Sequence, residues 1–168
     1  MFCELRRKKQ QPSEQECTQI LDKELSGVLA TFGDEDYPYI VPLNYYYENS
    51  KVYFHCAKTG HKINTIKKNS NVSFCVVSKE TILPEAYATS FRSVIVFGKV
   101  RIIEDDEQKR VAIRRIAKKY APKNSEQRLH DEIARDWQSL CILELTIEHM
   151  SGKESLDLAR MKRDGQRS

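Results

Sequence analysis

The stretch YPYIVPLNYYYENSKVYFHCAKTGHK, Tyr37 to Lys62, decides how this chain is read. It holds two segments rich in aromatic and β-branched residues, the composition that suits a pleated, half-buried strand. Glu48, Asn49 and Ser50 lie between them as turn formers. The second segment ends at His55-Cys56-Ala57 and leads through Gly60 to Lys62, at the mouth of a predicted short helix. Pro42 removes one N–H from the ladder, which leaves backbone polar groups at the edge of an apolar surface. A flat ring can lie on such a hairpin. The helix mouth adds N–H groups and an ammonium, which suit a phosphate.

The rest of the chain extends the strand pattern in both directions. Ser13 reads as an N-cap with Glu16 as its capping-box partner. Cys17, Ile20, Leu21 and Leu25 follow at helical spacing, predicting a helix over 14–25. Gly27 and Gly33 bracket VLATF, the first strand. Tyr37 to Tyr47 and Lys51 to Cys56 are the second and third, and Lys62 to Asn69 is a short helix. Val72 to Ser78 is the fourth strand. Lys79 to Ser90 contains Pro84, lacks periodicity and reads as a loop. Phe91 to Ile103 is a long fifth strand with a bend expected at Gly98. A helix then starts at Asp105 or Asp106 and ends before Pro122; Leu129, Ile133 and Trp137 mark another. Leu140 to Ile147 is the sixth strand, and the tail from Ser151 is polar, basic and expected to be mobile at its end.

The expected fold is therefore mainly β: a six-stranded antiparallel split β-barrel with flanking α-helices. The strands do not alternate with helices, and no GxGxxG or GxxxxGK occurs, which excludes the dinucleotide and P-loop fingerprints. The expected division is a basic arm over 1–12, one domain over 13–153 and a polar tail over 154–168. At 168 residues the chain suits a single core. Its net charge of +4 is too weak to argue for nucleic acid. No apolar run approaches the roughly 20 residues of a membrane span, and MFCELRRKKQQ carries no apolar stretch of a signal peptide. The cysteines at 3, 17, 56, 75 and 141 fit no zinc spacing, so no metal is expected. Free thiols in a reducing cytoplasm are the simplest reading.

The ring surface and the phosphate mouth are together the two halves of a flavin mononucleotide (FMN) site. At this point the chain resembles the pyridoxamine 5′-phosphate oxidase-like FMN-binding split-barrel superfamily, and within it the nitroimidazole-resistance group. The resemblance covers almost the whole chain. It rests on Arg6 to Lys8, GVLAT (Gly27 to Thr31), PYIVPLNY (Pro38 to Tyr45), VYFHCAKTGHK (Val52 to Lys62), FRSVIVFGKV (Phe91 to Val100) and MSGK (Met150 to Lys153). It implies a homodimer with two FMN sites at the subunit interface. It further implies that Val41, Pro42, Leu43 and Asn44 lie along the isoalloxazine. His55, Cys56 and Ala57 would pack near ring and ribityl, Lys62 would meet the phosphate with Arg92 and Ser93 completing the anion site, and Lys153 would approach the flavin edge. The chemistry of a phosphate site agrees: Lys62 is a mobile point charge, Arg92 a planar fork and Ser93 a hydroxyl donor.

His55 stays open between a core histidine satisfied by a carbonyl and a catalytic residue near the flavin. Arg128-Leu129-His130-Asp131 matches the RLHD of true pyridoxamine phosphate oxidases, but it sits in an amphipathic helix with different flanks and reads as coincidence. The expected activity is FMN-dependent reduction of small aromatic or nitroheterocyclic compounds, with electrons from a transiently bound nicotinamide donor. Detoxification of 5-nitroimidazoles is what the resemblance implies. The alternative is a flavin- or haem-binding module without turnover.

Overall fold

In a computed structural model of the chain, residues 2, 5–34 and 37–165 are described. Cys3 and the end of the expected tail, 166–168, lie outside them. Ser13 caps α1 (Glu14–Lys23): its hydroxyl accepts from Glu16 N, and the Glu16 carboxylate accepts from Ser13 N at 2.8 Å. The helix stops before Leu25 because Glu24 is already extended.

Seven strands follow: β1 (Ser26–Phe32), β2 (Pro38–Asn44), β3 (Tyr46–Glu48), β4 (Lys51–Ala57), β5 (Asn71–Leu83), β6 (Ala88–Ile102) and β7 (Leu140–Glu154). They form one antiparallel sheet in the order β2-β1-β5-β6-β7-β4-β3. Helices α2 (His61–Lys68), α3 (Asp106–Tyr120), α4 (Glu126–Asp136) and α5 (Leu156–Gly165) join α1 around it. The class is the expected one, with one strand more than the six read from sequence.

The additional strand arises at Tyr45, where the expected second strand breaks. β2 and β3 lie at opposite edges of the sheet, yet Tyr45 alone separates them. A flat sheet of this size would be roughly 29 Å across at about 4.8 Å per strand, while two Cα steps reach about 7.6 Å. The sheet must therefore curl until its edges meet. At the corner, Tyr45 leaves the ladder and Tyr120 of α3 serves its backbone. Tyr45 N donates to Tyr120 Oη at 2.7 Å, and that hydroxyl has Tyr45 O (2.8 Å) and Leu25 O as acceptors for its one proton.

Two expectations are corrected by the ladders. The expected loop over 79–90 is a β-hairpin, in which Lys79↔Arg92 through Leu83↔Ala88 pair and a 3-10 turn at Pro84–Ala86 reverses the chain. This arm covers no core, so its sequence has no reason to alternate. The sixth strand runs on past Ile147 to Glu154, and α5 follows it. A bulge at Glu148 shifts the register between Phe97↔His149 and Gly98↔Ile147 and masks the alternation. The bend expected at Gly98 falls there, where a Cβ would stand 1.9 Å from Thr146 O.

Leu29, Phe54, Phe74, Val76, Val94, Val96, Leu143 and Leu145 fill the barrel, and Ile63 and Ile66 of α2 pack into the same cluster. A second core of Ile103, Ile113, Ile116, Ile133 and Ile142 sits under α3 and α4. Trp137 anchors it, with Lys109 Nζ 4.1 Å from the ring centroid.

Candidate functional site: the split between β2 and β4

The β3–β4 hairpin pairs Tyr46 with Tyr53 around a two-residue turn, Asn49 and Ser50, both at positive φ (50° and 59°). This is the primed turn geometry that matches strand twist. Continued past Tyr45, that register would set Asn44 opposite His55 and Pro42 opposite Ala57. The ladder does not continue, because Pro38 to Asn44 pair instead with β1. β2 approaches β4 at the corner and then diverges from it. The divergence leaves one edge of β2 and one edge of β4 without strand partners, and it is the split in the barrel. Val41, Leu43 and Cys56 are half-buried along it, while Pro42, Asn44, His55 and Ala57 are exposed. The structure thus brings the predicted ring-contacting residues to one place.

The split ends at α2. Its N-cap is Gly60, at φ 120° and ψ 170°, with no side-chain cap. Only glycine adopts that conformation without strain, and it leaves the first-turn N–H groups of the helix open. Thr65 Oγ1, 2.9 Å from Thr31 Oγ1, fixes α2 against β1. Lys62 is half-buried at this mouth and close enough to His55 to act on it. Partial desolvation by its neighbours, and then the Lys62 ammonium, hold the His55 imidazole below its ordinary pKa, which favours the neutral ring. His61, beside it, pairs with Asp34 at 3.8 Å and packs edge-on against Tyr39.

Arg92, Ser93 and Lys153 lie elsewhere, with Ser93 and Lys153 on one face of β6 and β7 and Arg92 on the other. Ser93 pairs with Lys153 across β6 and β7, and Arg92 with Glu154. Arg92 Nε is bound to the buried Glu154 carboxylate at 3.2 Å, and Lys162 Nζ reaches the same oxygen at 2.8 Å. From Cys141, beside Lys62, to Glu154 is roughly 40 Å of strand contour at about 3.3 Å per residue. Lys62 and the Arg92–Ser93 pair therefore lie toward opposite ends of the pairing made by β7. The sequence showed the residue types but not the length of β7 that separates them.

Arg6 and Arg7, read from sequence as a solvated arm, line a cleft with Lys153. Lys58 and Lys109 were not singled out either, and both act on Cys141 beside Lys62. Nothing in their spacing marks them, since they meet only through β-pairing and the packing of α3. The cavity of about 470 Å³ between α3 and α4 includes Arg128 and Leu129 in its lining but shares no residue with the split. RLHD lies within α4, as its flanks indicated.

A curled antiparallel sheet split between β2 and β4, with a basic, uncapped helix mouth at its end, defines a split-barrel protein. The chain belongs to the family described as pyridoxamine 5′-phosphate oxidase, which matches residues 13–154. No curated protein matches it. Among solved structures it is similar to a candidate 5-nitroimidazole antibiotic resistance protein of Bacteroides thetaiotaomicron, at 26% identity over 84% of this chain and 83% of that one, with a TM-score of 0.68. It is also similar to an FAD-binding protein of Mesorhizobium loti, at 25% identity over 86% and 96% of the two chains, TM-score 0.60. An FAD and heme binding protein of Mycobacterium smegmatis shares the fold at 16% identity over 92% and 80%, TM-score 0.70. No described helix is long and apolar enough to cross a membrane.

Proposed function

We propose that this chain is a homodimeric, cytoplasmic flavoprotein that binds FMN in the split and reduces small aromatic or nitroheterocyclic compounds with electrons from a nicotinamide donor. The observation that carries the reading is the split itself, which opens between two strand edges toward the uncapped mouth of α2 with Lys62 beside it. The residues fit the group. Pro42 to Asn44 and His55 to Ala57 offer backbone polar groups and apolar surface to a ring. The α2 N–H groups and Lys62 offer donors to a phosphate dianion, each charge-assisted bond contributing roughly 1.5–3 kcal/mol. A bound flavin supplies two-electron acceptance and delivery, and the chain holds the ring with one face open. Neutral His55 gives the site a hydrogen-bonding ring without adding charge.

The dimer is supported by an apolar outer sheet face. Val28, Ile40, Val77 and Ile95 are all exposed on it, and singly placed apolar residues would need no such contiguity. Face-to-face packing would also bring Ser93 and Lys153 of one protomer toward the anion site of the other, with Arg92 at the strand end beside them. The preference for FMN rests on the terminal phosphate at α2. The likeness to an FAD-binding protein makes the choice of flavin the point to measure.

Titration of the purified apoprotein with FMN, FAD and riboflavin, read by absorbance, tests this. FMN is expected to bind tightest, one per chain, with a flavin doublet. Tighter FAD binding would remove the terminal-phosphate argument, a Soret band would favour the haem-binding alternative, and no chromophore would overturn the reading. Anaerobic mixing of the holoprotein with reduced nicotinamide and a nitroimidazole then separates a reductase from a flavin carrier.

A further inference from the structure

Cys56 and Cys141 stand directly opposite each other on β4 and β7. Both face the barrel interior, where Cys56 packs against the cluster that contains Cys141. Along this ladder Lys58 N donates to Ser139 O at 3.2 Å and Ile147 N to Ser50 O at 3.1 Å. Hydrogen-bonded pairs recur at every second position of an antiparallel ladder, so 56 and 141 are such a pair. The Cα atoms of such a pair are about 5.5 Å apart, within the roughly 4.4–6.8 Å that a disulfide spans. The opposed Cβ atoms of such a pair stand about 5.5 Å apart, so the bond requires the two strands to draw together by about 1 Å.

The pair also divides into two roles. A hydrogen bond from Cys56, and then Lys109, Lys62 and Lys58, draw the Cys141 thiol down to about 7 against the cost of burial. The same hydrogen bond, together with burial, pushes Cys56 up. Lys109 and Lys58 act on Cys141 and favour its thiolate, which makes it the attacking sulfur. The other described cysteines differ. Burial raises Cys17 to about 11 and also raises Cys75, and Cys75 faces Val28 and Ile95 rather than a second thiol.

We propose that Cys56 and Cys141 form a redox-modification site, at which a peroxide converts the dithiol into a cross-strand disulfide. The Cys141 thiolate attacks one peroxide oxygen. The S–O bond forms, the O–O bond breaks, and the departing hydroxide takes a proton from solvent to leave as water. Cys56 sulfur then attacks Cys141 sulfur. The S–S bond forms, the S–O bond breaks, and the second oxygen leaves as water with the Cys56 proton. The dithiol loses two electrons and hydrogen peroxide gains them, giving one disulfide and two waters. Peroxide is little larger than water, and half-buried Cys56 marks its approach. The step takes its electrons from the two thiols and none from a flavin. Its place is the end of β4 between His55 and Ala57, so the new bond fixes the wall of the split to β7.

The test treats the reduced full chain with hydrogen peroxide, alkylates the remaining thiols under denaturing conditions and maps peptides by mass spectrometry. The expected result is loss of the mass of two hydrogens, one peptide pair joining 56 to 141, and reversal by dithiothreitol. Cys75→Ser and Cys17→Ser are expected to form the same bond, and Cys56→Ser to leave Cys141 over-oxidised to sulfinic acid. The wild-type map stands even where a variant fails to fold. A disulfide through any other cysteine, over-oxidation of 56 and 141 without a link, or an unreacted Cys141 would overturn the proposal.

Discussion

Lys62 is the residue on which the binding proposal turns. Lys62→Ala is expected to weaken FMN binding by roughly ten- to hundredfold, from loss of one charge-assisted contact of about 1.5–3 kcal/mol. Riboflavin, which has no phosphate, is expected to lose little in the same titration. Unchanged FMN affinity would move the cofactor away from α2. Glu144 carries a different kind of prediction. It is buried, and Arg101 Nε at 2.8 Å and Lys51 Nζ at 3.2 Å bind its two oxygens. Burial pushes its carboxyl up, but the hydrogen bonds from Arg101 and Lys51 outweigh that and hold it below the ordinary glutamate range. A depressed carboxylate stabilises the fold above its unfolded value and loses that contribution as pH falls through the folded one. Denaturant titrations from pH 6 downward should therefore show stability falling from about pH 5, and falling less steeply in Glu144→Gln. Equal slopes would mean that the pair contributes nothing to acid sensitivity.

At the level of the element, two local devices hold the split open. The first is the Tyr120 hydroxyl, which serves the backbone at the β2–β3 corner. Tyr120→Phe strands the buried Tyr45 N–H and is expected to cost about 1–3 kcal/mol in chemical denaturation. Tyr45→Phe is the contrasting control: its own hydroxyl is buried without a hydrogen-bond partner among the described residues, so removing it is expected to be neutral or stabilising. The second device is Gly60. Gly60→Ala has room for a methyl group but not the conformation, at φ 120°. It is expected to distort the α2 mouth and weaken FMN more than riboflavin, with calorimetry as the readout. The elements themselves were largely legible in the sequence. Ser13 with Glu16, the turn at Asn49 and Ser50, and the bend at Gly98 each announced themselves through local chemistry. What was not legible was non-local. Tyr45 gives no sign that its backbone is satisfied 75 residues away. The arm over 79–90 lacks alternation because it covers no core, and the bulge at Glu148 masks it in the far half of β7. The residues expected to contact a ring lie near one another, being close in sequence, whereas Arg92 and Ser93 lie on a distant strand.

At the scale of the whole molecule, the outer sheet face makes the association testable. Ile40→Lys places a charge on an exposed β2 position of that face, away from the core. In sedimentation it is expected to shift dimer toward monomer and, because the proposed site draws on both protomers, to lower FMN affinity with it. A monomeric variant that keeps wild-type affinity would show that one chain suffices.

The single-residue link at Tyr45 has a kinetic consequence. The β1–β2 and β5–β6 hairpins close between near neighbours in the chain, but β4 can pair with β7 only when residues 51–57 meet residues 140–146. Loop closure over that separation is entropically late, and topologies dominated by distant pairings cross their barrier slowly. The seam of the barrel is then the last contact made during refolding. Mutations in the β5–β6 hairpin should slow refolding, while those along the β4–β7 seam should chiefly speed unfolding.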